Sequence, residues 1–264
     1  MLTIERPVDG NDAQQRASLL GARGAFVGGG TALQLAWQGR TPALTLIDVS
    51  RLPGSQGVAL QGRSLRIGAA MRLEPLRRDP LVARHAPLLV QACEQLAALS
   101  VRHLATLGGN VGWGYGDTLA VLLAMGAQAE LAEGRCVPLA ELLSPAGLPL
   151  VTALRVDVEH APAFAFYEKV GHRAAFSPTR LALALCATID PRGRLRAPQV
   201  AASGAGLPAR RLVEVERLLQ ASGDPGAMAR DALRDACGRD FDGDAALARI
   251  AGAVIKGQLE GLAR

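Results

Sequence analysis

The sequence predicts an α+β protein built from three units. Hydrophobic residues make up 49% of the 264 residues, which is enough to bury one large core or two to three small ones. Short strands alternate with short helices up to about residue 160, and beyond Pro162 several strands are followed by a helical tail. We therefore predict units at 1–55, 56–160 and 161–264.

The first unit is predicted to be a small β/α layer. A short strand at 2–5 precedes a helix at 12–20, for which Asp9 or Asn11 is a suitable N-cap. Further along, an apolar strand runs straight into the letters GGGT. The remaining elements of this unit are a strand at 25–27, a helix at 31–37 and a strand at 45–50.

The second and third units are predicted from alternating and helical hydrophobic patterns. The predicted elements of the second unit are a hairpin at 57–69, helices at 73–78 and 87–99, a glycine-rich loop at 108–117, a helix at 118–125, a strand at 127–132, a helix at 137–143 and a strand at 150–158. Those of the third unit are strands at 164–170, 181–190 and 195–206, then helices from Arg210 onward.

The charge distribution argues against nucleic-acid binding. The net charge is +5 and the pI about 9.5, yet the arginines are spread along the chain, and Lys169 and Lys256 are the only lysines. A nucleic-acid patch normally clusters its basic residues, and single-strand binders need aromatic platforms, whereas aromatic residues here are 3%. Two interpretations remain open: a solvated arginine surface, or docking to acidic partner subunits.

The four cysteines are far apart in the sequence and form no CxxC pair, which argues against an iron–sulfur or zinc site within this chain. We expect them to be buried, reduced thiols.

No apolar run reaches the roughly 20 residues of a membrane helix, and the N-terminus lacks the pattern of an export signal. The sequence therefore predicts a cytoplasmic protein without a membrane span.

Two glycine-rich segments are the candidate ligand-binding elements. The first, VGGGTALQL, starts at Val27, and its consecutive glycines allow backbone N–H groups to turn toward one anion such as a pyrophosphate. A tight strand-to-helix turn is the alternative. The second, TLGGNVGWGYGD, spans 106–117, where Thr106 can bind a phosphate and Asn110 and Asp117 can bind hydroxyl groups. A flexible surface loop is the alternative for this segment.

A third segment, FYEKVGHR at 166–173, combines aromatic and basic residues. Tyr167, Lys169, His172 and Arg173 place π-surface and positive charge on one predicted strand. Positive charge near one edge of a flavin favours its reduced anion. The alternative is an ordinary exposed strand edge.

These motifs, in this order, resemble the FAD-binding subunits of the xanthine dehydrogenase and carbon monoxide dehydrogenase type, which have a PCMH-type flavin fold. The resemblance runs over nearly the whole chain. It is carried by VGGGTAL and LIDVSRL, by LRIGAAMRL and VRHLATLGGNV with Asp117, by LLAMGAQAEL, and by YEKVGHRAAFS and LALALCATID. The combination of GGGT with RHLATLGGN about 75 residues later is the specific feature.

The resemblance implies a two-subdomain PCMH-type FAD-binding domain followed by a small sheet-plus-helices C-terminal domain. It also implies that the chain is an oxidoreductase subunit that passes electrons through FAD. The residues implied to bind the cofactor are Val27, Gly28, Gly29, Gly30, Thr31, Ala32, Leu33, Thr106, Gly108, Gly109, Asn110, Gly116, Asp117 and Lys169.

The implied partners are a small iron–sulfur subunit with two [2Fe–2S] clusters and a large molybdopterin subunit, assembled as a dimer of heterotrimers. Electrons would run from molybdenum through the clusters to FAD, then to NAD⁺, a quinone or oxygen. Ala32 and the segment VGWGYG at 111–116 depart from the usual pattern, so a flavin-free scaffold of the same fold is an alternative. A stand-alone PCMH-type flavin oxidoreductase is another, with His103 as the histidine nearest a glycine segment.

Overall fold

The computed structural model describes residues 1–143, 148–159, 161–171, 178–223 and 226–262. Within these residues the strands form three separate sheets. The first sheet contains β1 (Thr3–Glu5), β2 (Gly24–Val27) and β3 (Thr45–Asp48). The second contains β4 (Val58–Gln61), β5 (Ser64–Gly68), β6 (Gln128–Leu131), β7 (Cys136–Pro138) and β8 (Val151–Asp157). The third contains β9 (Phe164–Gly171), β10 (Thr179–Ile189), β11 (Leu195–Gly204) and β12 (Leu207–Arg211).

Helices connect many of the strands, and three successive helices follow β12. They are α1 (Gly10–Leu20), α2 (Thr31–Trp37), α3 (Leu73–Arg77), α4 (Pro80–His85), α5 (Pro87–Gln95), α6 (Leu99–Arg102), α7 (Leu107–Gly112), α8 (Asp117–Ala124), α9 (Leu139–Leu142), α10 (Val213–Ala221), α11 (Arg230–Asp240) and α12 (Ala245–Leu262). In the described part of the chain, none of them is both long and apolar enough to cross a bilayer.

The first sheet is parallel, in the order β1-β3-β2, so α1 and α2 carry the chain between its strands. Helix α1 begins after Asp9, whose carboxylate accepts a hydrogen bond from the Asp12 N–H. This confirms Asp9 as the cap, one of the two candidates predicted. The small core beside this first sheet contains Ala13, Ile47 and Leu150. Leu150 belongs to the predicted second unit.

The apolar helix α8 lies at the centre of the molecule, and every one of its residues is buried. One side belongs to a core shared with Leu65 of β5 and Leu154 of β8, and the same core includes Ala184 of the third sheet. A helix that is apolar on all faces is stable only when it is covered on all sides. Helix α8 therefore joins the second unit to the third.

The third sheet is antiparallel, in the order β12-β11-β10-β9, and separates two cores. Strand β10 alternates leucines with small residues. Leu181, Leu183 and Leu185 face the C-terminal helices, whereas Ala182 and Ala184 face α8. Successive side chains of a strand point to opposite faces, so the small residues leave room for α8 to approach.

The α+β fold class is confirmed, and several boundaries were predicted wrongly. The glycine-rich stretch predicted as a loop at 108–117 forms most of α7 and the start of α8, because the Thr106 side chain caps α7 by accepting from the Gly109 N–H. Helix α5 ends at Gln95 rather than 99, since Ala97 has a left-handed φ of 47°. Residues 136–138 pair with β6 instead of starting a helix.

Other elements were missed because tertiary pairing and local capping form them. Strand β12 folds back onto β11 where the helical tail was predicted to begin. Helices α4 and α6 were not predicted either, although Asp79 caps α4 and a proline starts it. The three sheets occupy 3–48, 58–157 and 164–211, and the predicted unit boundaries stay predictions.

Candidate functional site

One cavity of about 1330 Å³ lies where the three units meet. Its volume exceeds the roughly 300–1,000 Å³ of pockets for ordinary small molecules, so it suits a large, extended ligand. All the residues predicted to bind the cofactor line this cavity: Val27, Gly28, Gly29, Gly30, Thr31, Ala32, Leu33, Thr106, Gly108, Gly109, Asn110, Gly116, Asp117 and Lys169.

The two glycine-rich segments meet in space at this cavity. A Cβ on Gly28 would lie 2.5 Å from Oγ1 of Thr106, and a Cβ on Gly29 would lie 1.9 Å from the carbonyl oxygen of Leu104. Real Cβ atoms do not approach so closely, so glycine is required at both positions. The first glycine segment is therefore pressed directly against the residues that precede α7.

The first segment supplies unused backbone donors. The N–H groups of residues 28–33 make no hydrogen bond to any residue that the structure describes. Gly30 adopts a left-handed φ of 70°, which turns the chain from β2 into α2 at little cost for a glycine. Because α2 has only seven residues, these N–H groups, and not a long helix dipole, are the feature suited to an anion.

The second segment uses its first N–H groups within the protein. Leu107 donates to the Met71 carbonyl and Gly108 to the Ala69 carbonyl, while Gly109 donates to Oγ1 of Thr106. A Cβ on Gly108 would lie 2.8 Å from the Cβ of Ala69, so this glycine permits close packing. The two segments therefore differ: the first offers backbone donors, and the second offers side chains on a tightly packed helix.

Asn110 is fixed by the start of α8. Its Oδ1 accepts hydrogen bonds from the N–H and the Oγ1 hydroxyl of Thr118, at 3.2 and 2.5 Å. A Cβ on Gly116 would lie 2.2 Å from the same oxygen. The carbonyl side of Asn110 is thus occupied, and its NH₂ group remains as a donor at the cavity wall.

Lys169 and Asp117 form a buried ion pair across the cavity wall. The Lys169 ammonium lies 2.7 Å from Oδ2 of Asp117, and the two side chains are 14% and 8% exposed. The same ammonium donates to the carbonyl of Gln95 at 2.8 Å. Lys169 therefore ties β9 to α8 and to the end of α5, and its positive charge is balanced by a carboxylate.

An aromatic pair stands on the stretch between α7 and α8. The rings of Trp113 and Tyr115 both line the cavity and pack edge to face, with centroids 6.0 Å apart and planes at 63°. The third sheet holds their backbone. Ala209 N–H donates to the Gly114 carbonyl and the Ser203 hydroxyl to the Gly116 carbonyl, both at 3.0 Å. This wall is therefore rigidly backed by β11 and β12.

Two side chains singled out in the sequence, Tyr167 and His103, do not line the cavity in the described structure. Tyr167 is buried in the core instead, and burial raises the pKa of its hydroxyl well above the ordinary value of 10.0. His103 is exposed and is absent from the cavity wall. His172 and Arg173 lie outside the described residues.

Among the described residues, no group of three or more His, Cys, Asp or Glu side chains could hold a metal ion, and the cysteines form no part of such a group. Burial raises the pKa of Cys93, Cys186 and Cys237 to about 12, so these thiols stay neutral. Cys136 is exposed, which corrects the expectation that all four would be buried. It lies on the edge strand β7, which pairs with β6.

The sequence missed one wall of the cavity, formed by residues 95–98 together with Val101. Residues 95–98 were assigned to a continuous helix at 87–99. Their letters, QLAA, carry no sign of a left-handed residue, since alanine rarely adopts that conformation. The nearest residue in the sequence that could indicate this wall is Arg102, but its hydrogen bonds to Leu96 and Ala97 form only in the folded chain.

The chain is similar in sequence to proteins of known type. The family described as "FAD binding domain in molybdopterin dehydrogenase" matches residues 2–155. The carbon monoxide dehydrogenase medium chain of Hydrogenophaga pseudoflava is 34% identical over 70 residues, 26% of this chain and 24% of that protein. The 6-hydroxypseudooxynicotine dehydrogenase complex subunit alpha of Paenarthrobacter nicotinovorans is 27% identical over 187 residues, 66% and 62% of the two chains. These alignments span less than two thirds of the curated relatives' length.

The fold comparison covers nearly the whole molecule. A carbon monoxide dehydrogenase structure from Hydrogenophaga pseudoflava, which lacks the Mo-pyranopterin moiety of its molybdenum cofactor, superposes with a TM-score of 0.79 at 23% identity. The match covers 98% of this chain and 96% of that chain. The cavity with its glycine cradle fits a long diphosphate-containing cofactor, and the family match covers more than half of the sequence. The chain therefore belongs to the family of FAD-binding domains in molybdopterin dehydrogenases, and its cofactor is FAD.

Proposed function

We propose that this chain is the FAD-binding electron-transfer subunit of a multi-subunit molybdenum hydroxylase. It would work between [2Fe–2S] clusters in a partner subunit and an acceptor such as NAD⁺, a quinone or oxygen. The observation that carries this proposal is that Gly28 and Gly29 pack against Thr106 and the Leu104 carbonyl, and that Gly28, Gly29 and Thr106 line one large cavity. When bound there, FAD supplies exchange between one-electron and two-electron carriers.

The backbone of residues 28–33 is proposed to hold the diphosphate. Six neighbouring N–H groups have no partner among the described residues, and hydrogen bonds to a charged group contribute about 1.5–3 kcal/mol each. The Thr106 hydroxyl accepts from Gly109, so its own proton is available to a phosphate oxygen. Three such bonds would account for much of a micromolar affinity, about −8 kcal/mol.

The second segment and β9 are proposed to orient the rest of the cofactor. Asn110 offers its NH₂ group to a hydroxyl. Lys169 has a third ammonium proton beyond the two that it donates to Asp117 and Gln95. A positive group beside the flavin ring favours the reduced form. Gly116 is proposed to keep Asn110 in place at the cavity wall, because any side chain at 116 would displace Asn110.

The partners are proposed from relatives that are chains of larger complexes: one is named a medium chain and another a complex subunit. We propose a small iron–sulfur subunit and a large molybdopterin subunit, with two copies of each chain in the complex. The organic substrate would then bind to the large subunit, and this chain would only pass electrons onward.

Electron delivery from a cluster subunit tests the proposal directly. The chain is co-expressed with a candidate iron–sulfur subunit and a candidate molybdopterin subunit from the same organism, and the complex is purified. Reduction of the clusters in a stopped-flow instrument is expected to bleach the flavin absorbance, which added acceptor then restores. A complex whose flavin stays oxidised while its clusters are reduced would contradict electron transfer. Separate titration of the isolated chain with FAD reports binding alone.

A further inference from the structure

The end of α5 forms a wall of the cavity in which three successive carbonyl groups are each bound by a cation. The Gln95 carbonyl accepts from Lys169 at 2.8 Å. The Leu96 and Ala97 carbonyls both accept from Nη1 of Arg102, at 3.1 and 2.9 Å. The last carbonyls of a helix have no partner within it and carry its negative end. Here two cations hold them in place, and residues 95–98 line the cavity.

This wall contains a backbone conformation that must be imposed from outside. Ala97 has φ 47°, in the left-handed region that residues with a Cβ rarely adopt. Such a conformation persists only where surrounding contacts fix it, and it tends to occur at binding sites. The contacts of Arg102 with the carbonyls of Leu96 and Ala97 itself provide that constraint.

Arg102 is in turn held by a buried carboxylate. Its Nε lies 2.9 Å from Oε2 of Glu74, which is 1% exposed. Two further arginines bind the same carboxylate: Arg77 donates to both of its oxygens and Arg78 donates to Oε1. The guanidinium of Arg102 thus donates from Nε to Glu74 and from Nη1 to the two backbone carbonyls. An ammonium group cannot span these positions, because it is a single compact charge.

We propose that Arg102, oriented by Glu74, is a positioning residue that holds the wall of residues 95–98 in the shape required by FAD. Without Arg102, the Leu96 and Ala97 carbonyls lose their donor, and Ala97 relaxes out of the left-handed region. The wall then moves, and carbonyl oxygens become free to face a ligand that carries phosphates. This inference rests on the proposed function only in that FAD occupies this cavity.

Arg78 provides a matched control within the same cluster. It donates to Glu74 at 2.8 Å, yet its side chain is 64% exposed and, among the described residues, it makes no hydrogen bond to residues 95–98. Arg78→Met therefore removes one partner of Glu74 and leaves the wall intact. Arg102→Lys keeps the positive charge but removes the planar guanidinium group, and Arg102→Met removes both the charge and the guanidinium.

The test measures FAD affinity of the apo-protein by fluorescence titration, together with the visible circular dichroism of the bound flavin. We expect Arg102→Met and Arg102→Lys to weaken binding about tenfold or more and to change the flavin dichroism, while Arg78→Met keeps both wild-type values. Wild-type affinity and dichroism in the Arg102 variants, or an equal loss in Arg78→Met, would overturn the proposal. Binding of FAD by the wild-type chain in the same titration separates this outcome from failure of the proposed function.

A rescue experiment tests the part played by backbone strain. Glycine adopts a positive φ without the penalty of a Cβ. We therefore expect Ala97→Gly, added to Arg102→Lys, to recover part of the lost FAD affinity and the wild-type flavin dichroism. If the double variant binds FAD no better than Arg102→Lys alone, the arginine does not act through the conformation of Ala97.

Discussion

Gly29 lies against the carbonyl group of Leu104, so closely that a Cβ on Gly29 would stand 1.9 Å from the Leu104 oxygen. This contact joins the strand-to-helix turn of the first unit to the segment before α7 in the second. The residues are 75 positions apart in the sequence, and Gly29 and Ala105, the neighbour of Leu104, both line the cavity.

Gly29→Ala is expected to separate the two glycine segments. The new methyl group cannot fit beside the Leu104 carbonyl, and overpacking of this kind typically costs about 1–3 kcal/mol. We expect weaker FAD binding in a titration and a lower melting temperature. Gly257→Ala in α12 is the matched control, because a Cβ there meets nothing within 4 Å. Unchanged FAD affinity in Gly29→Ala would argue against the role given to this contact.

Gly109→Asp is expected to abolish FAD binding through charge. Gly109 lines the cavity, and its Cβ would meet only Oγ1 of Thr106, at 2.9 Å. Gly109→Asn introduces a side chain of the same shape without the carboxylate, so comparison of the two isolates repulsion of a phosphate. Flavin occupancy is measured from the absorbance of the purified proteins. Equal occupancy in the two variants would place the phosphates away from this position.

The ion pair of Lys169 with Asp117 is expected to behave as a unit. Removing one partner leaves an uncompensated charge in a mostly buried site, which typically costs roughly 3–5 kcal/mol. Lys169→Met and Asp117→Asn should therefore each destabilise the protein in urea unfolding. The double variant should lose less than the sum of the two. Additive losses would show that the two side chains do not interact in solution.

Tyr167→Phe is expected to leave the protein as stable as before or to make it more stable. The Tyr167 hydroxyl is buried and has no hydrogen-bond partner among the described residues. An unsatisfied buried polar group costs about 1–3 kcal/mol, and phenylalanine removes it without changing the ring. The free energy of unfolding, measured in urea, checks this. A clear loss of stability would reveal a partner for the hydroxyl, such as a bound water.

Acid is expected to weaken the protein through Glu74. Hydrogen bonds from Arg77 and Arg102 lower the pKa of Glu74 from its ordinary value of 4.5 to about 2. A carboxyl with a lowered pKa stabilises the fold fully above its unfolded pKa, and this contribution disappears as the pH falls from 4.5 toward 2. Glu74→Gln should unfold more easily at neutral pH and lose stability less steeply over this range. Glu94→Gln, which removes an exposed carboxylate near Arg77, is the control.

Much of the site was predictable because short local sequence patterns indicate its turns and strands. The letters GGGT after an apolar strand predict a turn that exposes N–H groups, and the structure forms that turn between β2 and α2. The period-two pattern of LALALC predicted β10, and the small residues on one of its faces are those that meet α8. Local backbone preference and hydrophobic period act within a few residues, so a sequence displays them directly.

The predicted loop at 108–117 shows where local reasoning ends. Its glycines favour a loop when considered alone. In the folded chain, Thr106 caps a helix, and the Ala69 carbonyl binds Gly108. The same holds for β12, which exists because β11 offers an unpaired edge. Strand pairing and helix docking join residues far apart in sequence, so the letters of one segment do not specify them.

By itself, the sequence determined the α+β class, the two glycine segments and one set of residues that line the cavity, but not the wall at 95–98. Only the tertiary structure decided that the first segment keeps its N–H groups available while the second uses them internally, that Lys169 is paired with Asp117, and that Arg102 holds the wall at 95–98. The physical reason is that a hydrogen-bonding group can serve a ligand or the protein, and its choice depends on neighbours that only folding brings within about 3 Å.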